Sequence, residues 1–191
     1  MTVGIRKTFM KRYSVTLSQE LRLRDITQQR TNTFTEIDLG AKVGKSFRFN
    51  VFYRHIFAFR DDSREIRQRI GVDGNWKYKI VKKLHFLYRT RYQWQWEEYE
   101  YQYIPQKYWR NRVGLEYKLH KKWTAFSHYE MWYNFSQGED REFDRYRINS
   151  GLEWEPTKHH KIEIFGLFQK EMNRRRIDSD AVIGLAYRYD L

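Results

Sequence analysis

A chain of 191 residues with no cysteine, two prolines, ten glycines and a formal charge of +13 excludes a disulfide framework, thiolate chemistry and a Pro- or Gly-rich linker. Aromatic residues at 18% exclude a disordered chain, and no run of ~18 apolar residues offers a transmembrane helix. If the protein were soluble, its basic balance would point to nucleic acid or an acidic surface as partner.

Taken in order, nearly every segment alternates apolar and polar residues with period two, the mark of a half-buried strand. The first predicted strands are Thr2–Phe9, Tyr13–Asp25, Thr31–Val43, Phe47–Phe59 and Arg64–Tyr78. Leu84–Trp96, Gln106–Lys118, Trp123–Asn134, Arg141–Glu155, Lys161–Met172 and Ser179–Asp190 follow. Most are longer than the ~5–6 residues usual in soluble sheets, and they suit the ~9–11 residues that cross a bilayer at a tilt. A repeat runs through the whole chain, as Gly114-Leu-Glu-Tyr117-Lys, Gly151-Leu-Glu-Trp154-Glu and Gly184-Leu-Ala-Tyr187-Arg, so residues 1–191 form one domain.

The connections alternate too. Met10–Arg12, Gly44–Ser46, Lys79–Lys83, Leu119–Lys122 and Pro156–His160 are short and basic, whereas Ile26–Arg30, Arg60–Ser63, Glu97–Pro105, Phe135–Asp140 and Asn173–Asp178 are longer or more polar. Short turns at one end and longer loops at the other mark an up-and-down antiparallel meander. The expected fold is therefore all-β, a transmembrane barrel of roughly 10–12 strands.

Each strand has one apolar face and one face of arginine and acid. Phe47, Phe49, Val51, Tyr53, His55 and Phe57 oppose Arg48, Asn50, Phe52, Arg54, Ile56 and Ala58. A soluble barrel would turn the apolar face inward, but a ring this wide encloses more volume than side chains fill in a small barrel. The apolar face is accordingly placed toward lipid. The aromatics fall toward strand ends as two girdles. Trp76, Tyr78, Tyr117, Trp123, Trp154, Tyr187 and Tyr189 lie near the short turns, and Phe57, Phe59, Trp94, Trp96, Trp109, Tyr133 and Phe143 lie near the long loops.

The inward face then carries a charge network of Glu36, Arg54, Arg67, Arg69, Asp73, Arg89, Arg91, Arg110, Arg112, Glu116, Glu130, Arg145 and Arg147, with Glu20 and Glu153 as further partners. Matching faces through tight turns sets a register in which Glu36 meets Arg54, Asp73 meets Arg89 and Arg110 meets Glu130. The glycines Gly40, Gly71, Gly114, Gly151 and Gly184 fall on this face, where they make room for large lumenal side chains or relieve twist. The arginines either line an anion-selective passage or form a salt-bridged filling.

Chemistry is sparse. His55 falls on the lipid face with Thr35 and Gln68 beside it, a weak hydroxyl–histidine pair of the kind a lipid hydrolase needs, without a carboxylate to orient the base. His128 is lumenal near Glu130 and reads as structural. The adjacent His159 and His160 are weak evidence for metal, so no metal or cofactor is expected. Arg174-Arg175-Arg176 would reach lipopolysaccharide phosphates, and Glu97–Tyr103 would extend a hairpin or form a recognition surface.

The Gly114–Lys118 copies and the stretch Tyr13-Ser-Val-Thr-Leu-Ser-Gln-Glu-Leu-Arg-Leu-Arg-Asp25 resemble small Gram-negative outer-membrane barrels catalogued as a domain of unknown function, number 2490. The resemblance covers the chain and implies a barrel in the bacterial outer membrane, with no catalytic residue to carry over. The opening Met1-Thr-Val-Gly-Ile-Arg6 shows no signal core. An odd strand count would put the termini on opposite sides, whereas bacterial barrels are even. Either a strand before Thr2 or an incomplete first segment would account for this. The expected role is structural, adhesive or narrow-pore and porin-like, in a monomer that contacts membrane lipid or lipopolysaccharide and no nucleic acid. The alternatives are a lipid-modifying hydrolase around His55 and a soluble lipocalin-like carrier with its apolar face inward.

Overall fold

The computed structural model describes residues 1–25, 30–60, 63–99, 102–136, 142–173 and 178–191. Its strands are β1 (Thr2–Phe9), β2 (Tyr13–Asp25), β3 (Arg30–Val43), β4 (Phe47–Arg60), β5 (Ser63–Val81) and β6 (Leu84–Tyr99), then β7 (Gln102–Lys118), β8 (Trp123–Asn134), β9 (Glu142–Trp154), β10 (His160–Glu171) and β11 (Ser179–Asp190). Each pairs with its sequence neighbours, and the sheet closes on itself between β1 and β11.

The period-two pattern dictates this architecture. An alternating strand must bury one face, and closure leaves no long free edge for pairing with other chains. The outward positions Leu17, Leu39, Val51, Val72, Val113 and Leu152 are all exposed, while Asp73, Arg91, Arg110 and Glu130 are buried inside. That arrangement inverts a soluble protein and removes the lipocalin-like reading. Outside, Phe47 stacks on Trp76 at 6.2 Å and Trp123 on Trp154 at 5.6 Å near the short turns. Tyr133 meets Phe143 edge-on at 5.4 Å near the loops.

The short connections are tight. Arg12 N donates to Phe9 O at 3.0 Å across the first, where Met10 and Lys11 both take positive φ (48° and 58°). Two successive positive-φ residues give a hairpin the twist its strands need. In the β3–β4 turn the same region is occupied by Gly44 (φ 68°).

Two expected registers are corrected. Asp73 pairs with Arg91 and Arg89 with Asn75, because β5 runs to Val81 rather than Tyr78 and the turn shrinks to Lys82-Lys83. A bulge between Lys79 and Val81 keeps every side chain on its expected face while sliding the ladder by two residues. Arg110 pairs with Trp132, and Arg112 with Glu130, because the β7–β8 connection is longer than a minimal turn: Leu119 N donates to Trp123 O at 3.0 Å. The Glu36–Arg54 and Thr35–His55–Gln68 registers are as expected.

Closure occurs at an odd strand count. β1 pairs with β2 along its whole length and with β11 in parallel, from Thr2↔Ala186 to Arg6↔Asp190. At eight residues β1 is the shortest strand, against 19 in β5. The seam is therefore the least-paired part of the wall, and amide hydrogen exchange is expected to begin there. Slower exchange at Val3 and Tyr187 than in the middle of β6 and β7 would show otherwise.

Candidate functional site

The middle of the lumen and its loop end are built around carboxylates held by arginine. Asp73 on β5 accepts both Nε and Nη2 of Arg91 at 2.6 Å, a bidentate pair, and the Arg91 guanidinium lies 4.0 Å from the Phe52 ring centre. Glu36 accepts Arg54 Nε at 2.6 Å, and Glu20 pairs with Arg22 and stands 3.6 Å from Arg54. Glu65 takes Arg67 at 2.6 Å. Glu130 on β8 is shared: Arg110 Nη2 donates to it at 2.8 Å, Arg89 donates to its other oxygen, and Trp132 Nε1 approaches at 3.3 Å. The diagonal reach of Arg110 to Glu130 thus survives the corrected register. Such pairing is what burial of charge demands, since an ion taken out of water costs several kcal/mol unless compensated.

The arginines outnumber these partners. Arg69 donates Nε (3.0 Å) and Nη2 (2.5 Å) to the amide oxygen of Gln95, and Arg147 donates Nε (3.2 Å) and Nη2 (2.6 Å) to that of Gln169. Arg112 stands opposite Glu130 in the ladder, but that carboxylate is already bonded to Arg89 and Arg110. Arg145 holds Asp144 at 2.5 Å and lies 3.8 Å from Glu171. Nearer the short turns, Glu116 pairs with Lys77, and Glu153 with Lys161 at 2.5 Å.

The filling is uneven. Phe52, Gln93, Gln95, Tyr108, Arg110, Phe126, Trp132 and Asp144 are buried across β4–β9, where the Arg110 guanidinium sits 3.6 Å from the Trp132 ring centre. Small side chains on the seam side leave a cavity of about 160 Å³ bounded by Gly4, Thr16, Ser18, Lys161, Glu163 and Arg188. Three lumenal glycines admit a ring by close approach: Phe52 covers Gly71, where a Cβ would meet it at 2.5 Å, His128 covers Gly114 and Phe165 covers Gly184.

Gln95, Gln169, Trp132 and Asp144 were not singled out from sequence. Gln95 lies opposite Arg69 and would have been found had the β5 bulge been anticipated, whereas Gln169 lies opposite Arg147 in a β9–β10 ladder whose register depends on the separate turn between Trp154 and His160. Asp144 is turned inward by the β8–β9 irregularity between Trp132 and Tyr133, which breaks the period-two pattern.

On the outer wall, Thr35, His55 and Gln68 do line up, but the Thr35 hydroxyl donates to Gln19 Oε1 at 2.7 Å. Among the described residues, the row runs through Gln19, Thr35, His55, Gln68 and Trp96, with no carboxylate to orient the imidazole. His128 is stacked on Phe126 at 5.1 Å. His159 Nδ1 contacts the Asp190 carbonyl at 2.7 Å and His160 Nδ1 the Tyr187 hydroxyl at 2.8 Å. Among the described residues, no three His, Cys, Asp or Glu gather as metal ligands. Arg174–Arg176 lie outside the described residues, as does the Phe59 side chain. Of the tract Glu97–Tyr103, residues 97–99 and 102–103 continue β6 and β7, with Glu98 opposite Tyr103, and residues 100–101 lie outside the described residues. Its side chains also lie outside the described residues.

The family model described as Protein of unknown function (DUF2490) matches residues 1–180, and the chain belongs to that family. No curated protein matches it in sequence. Among solved structures it is similar to a bacterial polysaccharide outer membrane secretin (TM-score 0.63, 7% identity), covering 93% of this chain but only 64% of that one. It is also similar to the NanC porin (TM-score 0.56, 12% identity, covering 98% of this chain and 91% of that one). A third match is the KdgM porin in complex with disordered oligogalacturonate (TM-score 0.54, 13% identity, 95% and 87%). The shared feature is the fold, a transmembrane β-barrel of outer-membrane type.

Proposed function

We propose that this DUF2490 protein is a narrow outer-membrane channel that favours anionic solutes. One observation carries the reading: in the lumen Glu36, Asp73 and Glu130 are each taken by arginine, while among the described residues the hydrogen bonds of Arg69 and Arg147 go to neutral amides. A lumen with surplus fixed positive charge attracts anions and opposes cations, as rings of arginine do in anion pores. The porin neighbours support the channel reading, and the oligogalacturonate bound to one of them makes a carboxylate-bearing saccharide a reasonable solute class. The apolar outer wall, with Val72 and Leu152 exposed, supports membrane lipid as its surroundings, and closure within one chain supports a monomer.

The test is reversal potential in a planar bilayer under a potassium chloride gradient. Chloride selectivity is expected, and the double substitution Arg69→Gln, Arg147→Gln should reduce it by about fivefold, the Boltzmann weight of roughly 1 kcal/mol of screened attraction. Cation selectivity would overturn the proposal. So would absence of conductance, in favour of the second reading, a structural barrel closed by the side chains buried across β4–β9.

A further inference from the structure

One arrangement occurs twice in the lumen. Arg69 and Gln95 are ladder partners on β5 and β6, and Arg147 and Gln169 are ladder partners on β9 and β10. In both, a single amide oxygen accepts Nε and Nη2 of the arginine. The bond fixes the guanidinium plane without neutralising it. Among the described residues, the Nη1 end of each arginine has no hydrogen-bond acceptor. The two pairs stand on separate parts of the wall, yet Arg69 lies within electrostatic reach of Arg147, as well as of Arg22, Arg54 and Arg91.

The surroundings are short of acceptors in the same way. Arg89 Nε, Arg110 Nε and Gln93 Nε2 are buried and meet no acceptor among the described residues. These three are donors, and they outnumber the one buried acceptor beside Arg147 that also has no partner among the described residues, Asn149 Oδ1. The Glu130 oxygens, within electrostatic reach of Arg147, are already bonded to Arg89 and Arg110. Buried donors are nearly always satisfied, and a guanidinium edge matches a planar carboxylate or a phosphate in two parallel bonds. We propose that Arg69–Gln95 and Arg147–Gln169 form an oxyanion-binding constriction that takes the carboxylate or phosphate group of a solute inside the barrel. The proposal deepens the channel reading and rests on it for the route by which the solute arrives.

Titration calorimetry of the protein in detergent micelles, with gluconate and with inorganic phosphate at constant ionic strength, tests it directly. At least one of the two is expected to bind. Gln95→Glu and Gln169→Glu should each weaken that binding by at least about tenfold, because an internal carboxylate then occupies the guanidinium and repels the ligand. Arg147→Lys, which keeps the charge and removes the fork, should weaken it as well, and serves if a glutamate variant fails the heat-dependent gel shift of a folded barrel. Binding of gluconate alone assigns a carboxylate solute, and tighter phosphate binding assigns a phosphorylated one. No heat with either anion, or equal affinity in wild type and folded variants, overturns the proposal. Because binding is read in micelles, its failure leaves the conductance result standing. A silent bilayer with intact binding would remove the channel and keep the site.

Discussion

Replacing Glu130 by alanine is expected to lower the unfolding free energy in micelles by about 3–5 kcal/mol, the usual cost of removing one partner from a buried ion pair. Glu130 is only 3% exposed and ties its own strand to the two that precede it. It accepts Arg110 from β7 at 2.8 Å and Arg89 from β6, and holds the Trp132 indole at 3.3 Å. Its loss strands two buried guanidinium groups and also leaves Arg112, its ladder partner, beside two like charges with nothing between. Glu130→Gln keeps an acceptor but not the charge, and its cost should fall between wild type and alanine. Guanidinium unfolding followed by tryptophan fluorescence reports both. A loss below about 1 kcal/mol, the size of an exposed pair, would mean that water already solvates these arginines and that the lumen is not held together by charge.

The architecture was legible because one rule repeats along the chain. Alternation from Tyr13 to Asp25 or from Trp123 to Asn134 leaves no doubt about strand or face, and these boundaries match the structure. What failed was register, because faces constrain it only modulo two residues. The bulge at Ile80 and the longer β7–β8 connection each shift the ladder by two, which periodicity cannot detect. Glu36–Arg54 was placed correctly because the β3–β4 turn is minimal, closing at Val43↔Phe47. The candidate site suffered most, since its amides were visible as residues on the charged face but not as ladder partners of particular arginines. The odd strand count pointed only to a strand before Thr2 or an incomplete first segment. The parallel closure of β1 on β11 was not legible, because closure depends on twist and stagger around the whole ring.

Val72→Arg is the substitution that most directly weighs the outer wall. Val72 lies at the middle of β5, between Val51 and Tyr92 in the ladder, and is 45% exposed on the apolar face. If this face meets hydrocarbon at mid-depth, arginine there should cost about 2–4 kcal/mol in lipid vesicles. Val43→Arg, on the same face but next to the Gly44 turn and 49% exposed, should cost only about 0–1 kcal/mol near the interface. Exposure alone does not separate the two sites, so only a depth-dependent solvent can. On a wall facing water both substitutions would fall within about 0.5 kcal/mol of neutral, as surface changes do. A large cost at Val72 with a small one at Val43 places the β5 midpoint in the bilayer core. Equal and small costs would return the apolar wall to a soluble partner and take the membrane channel with it.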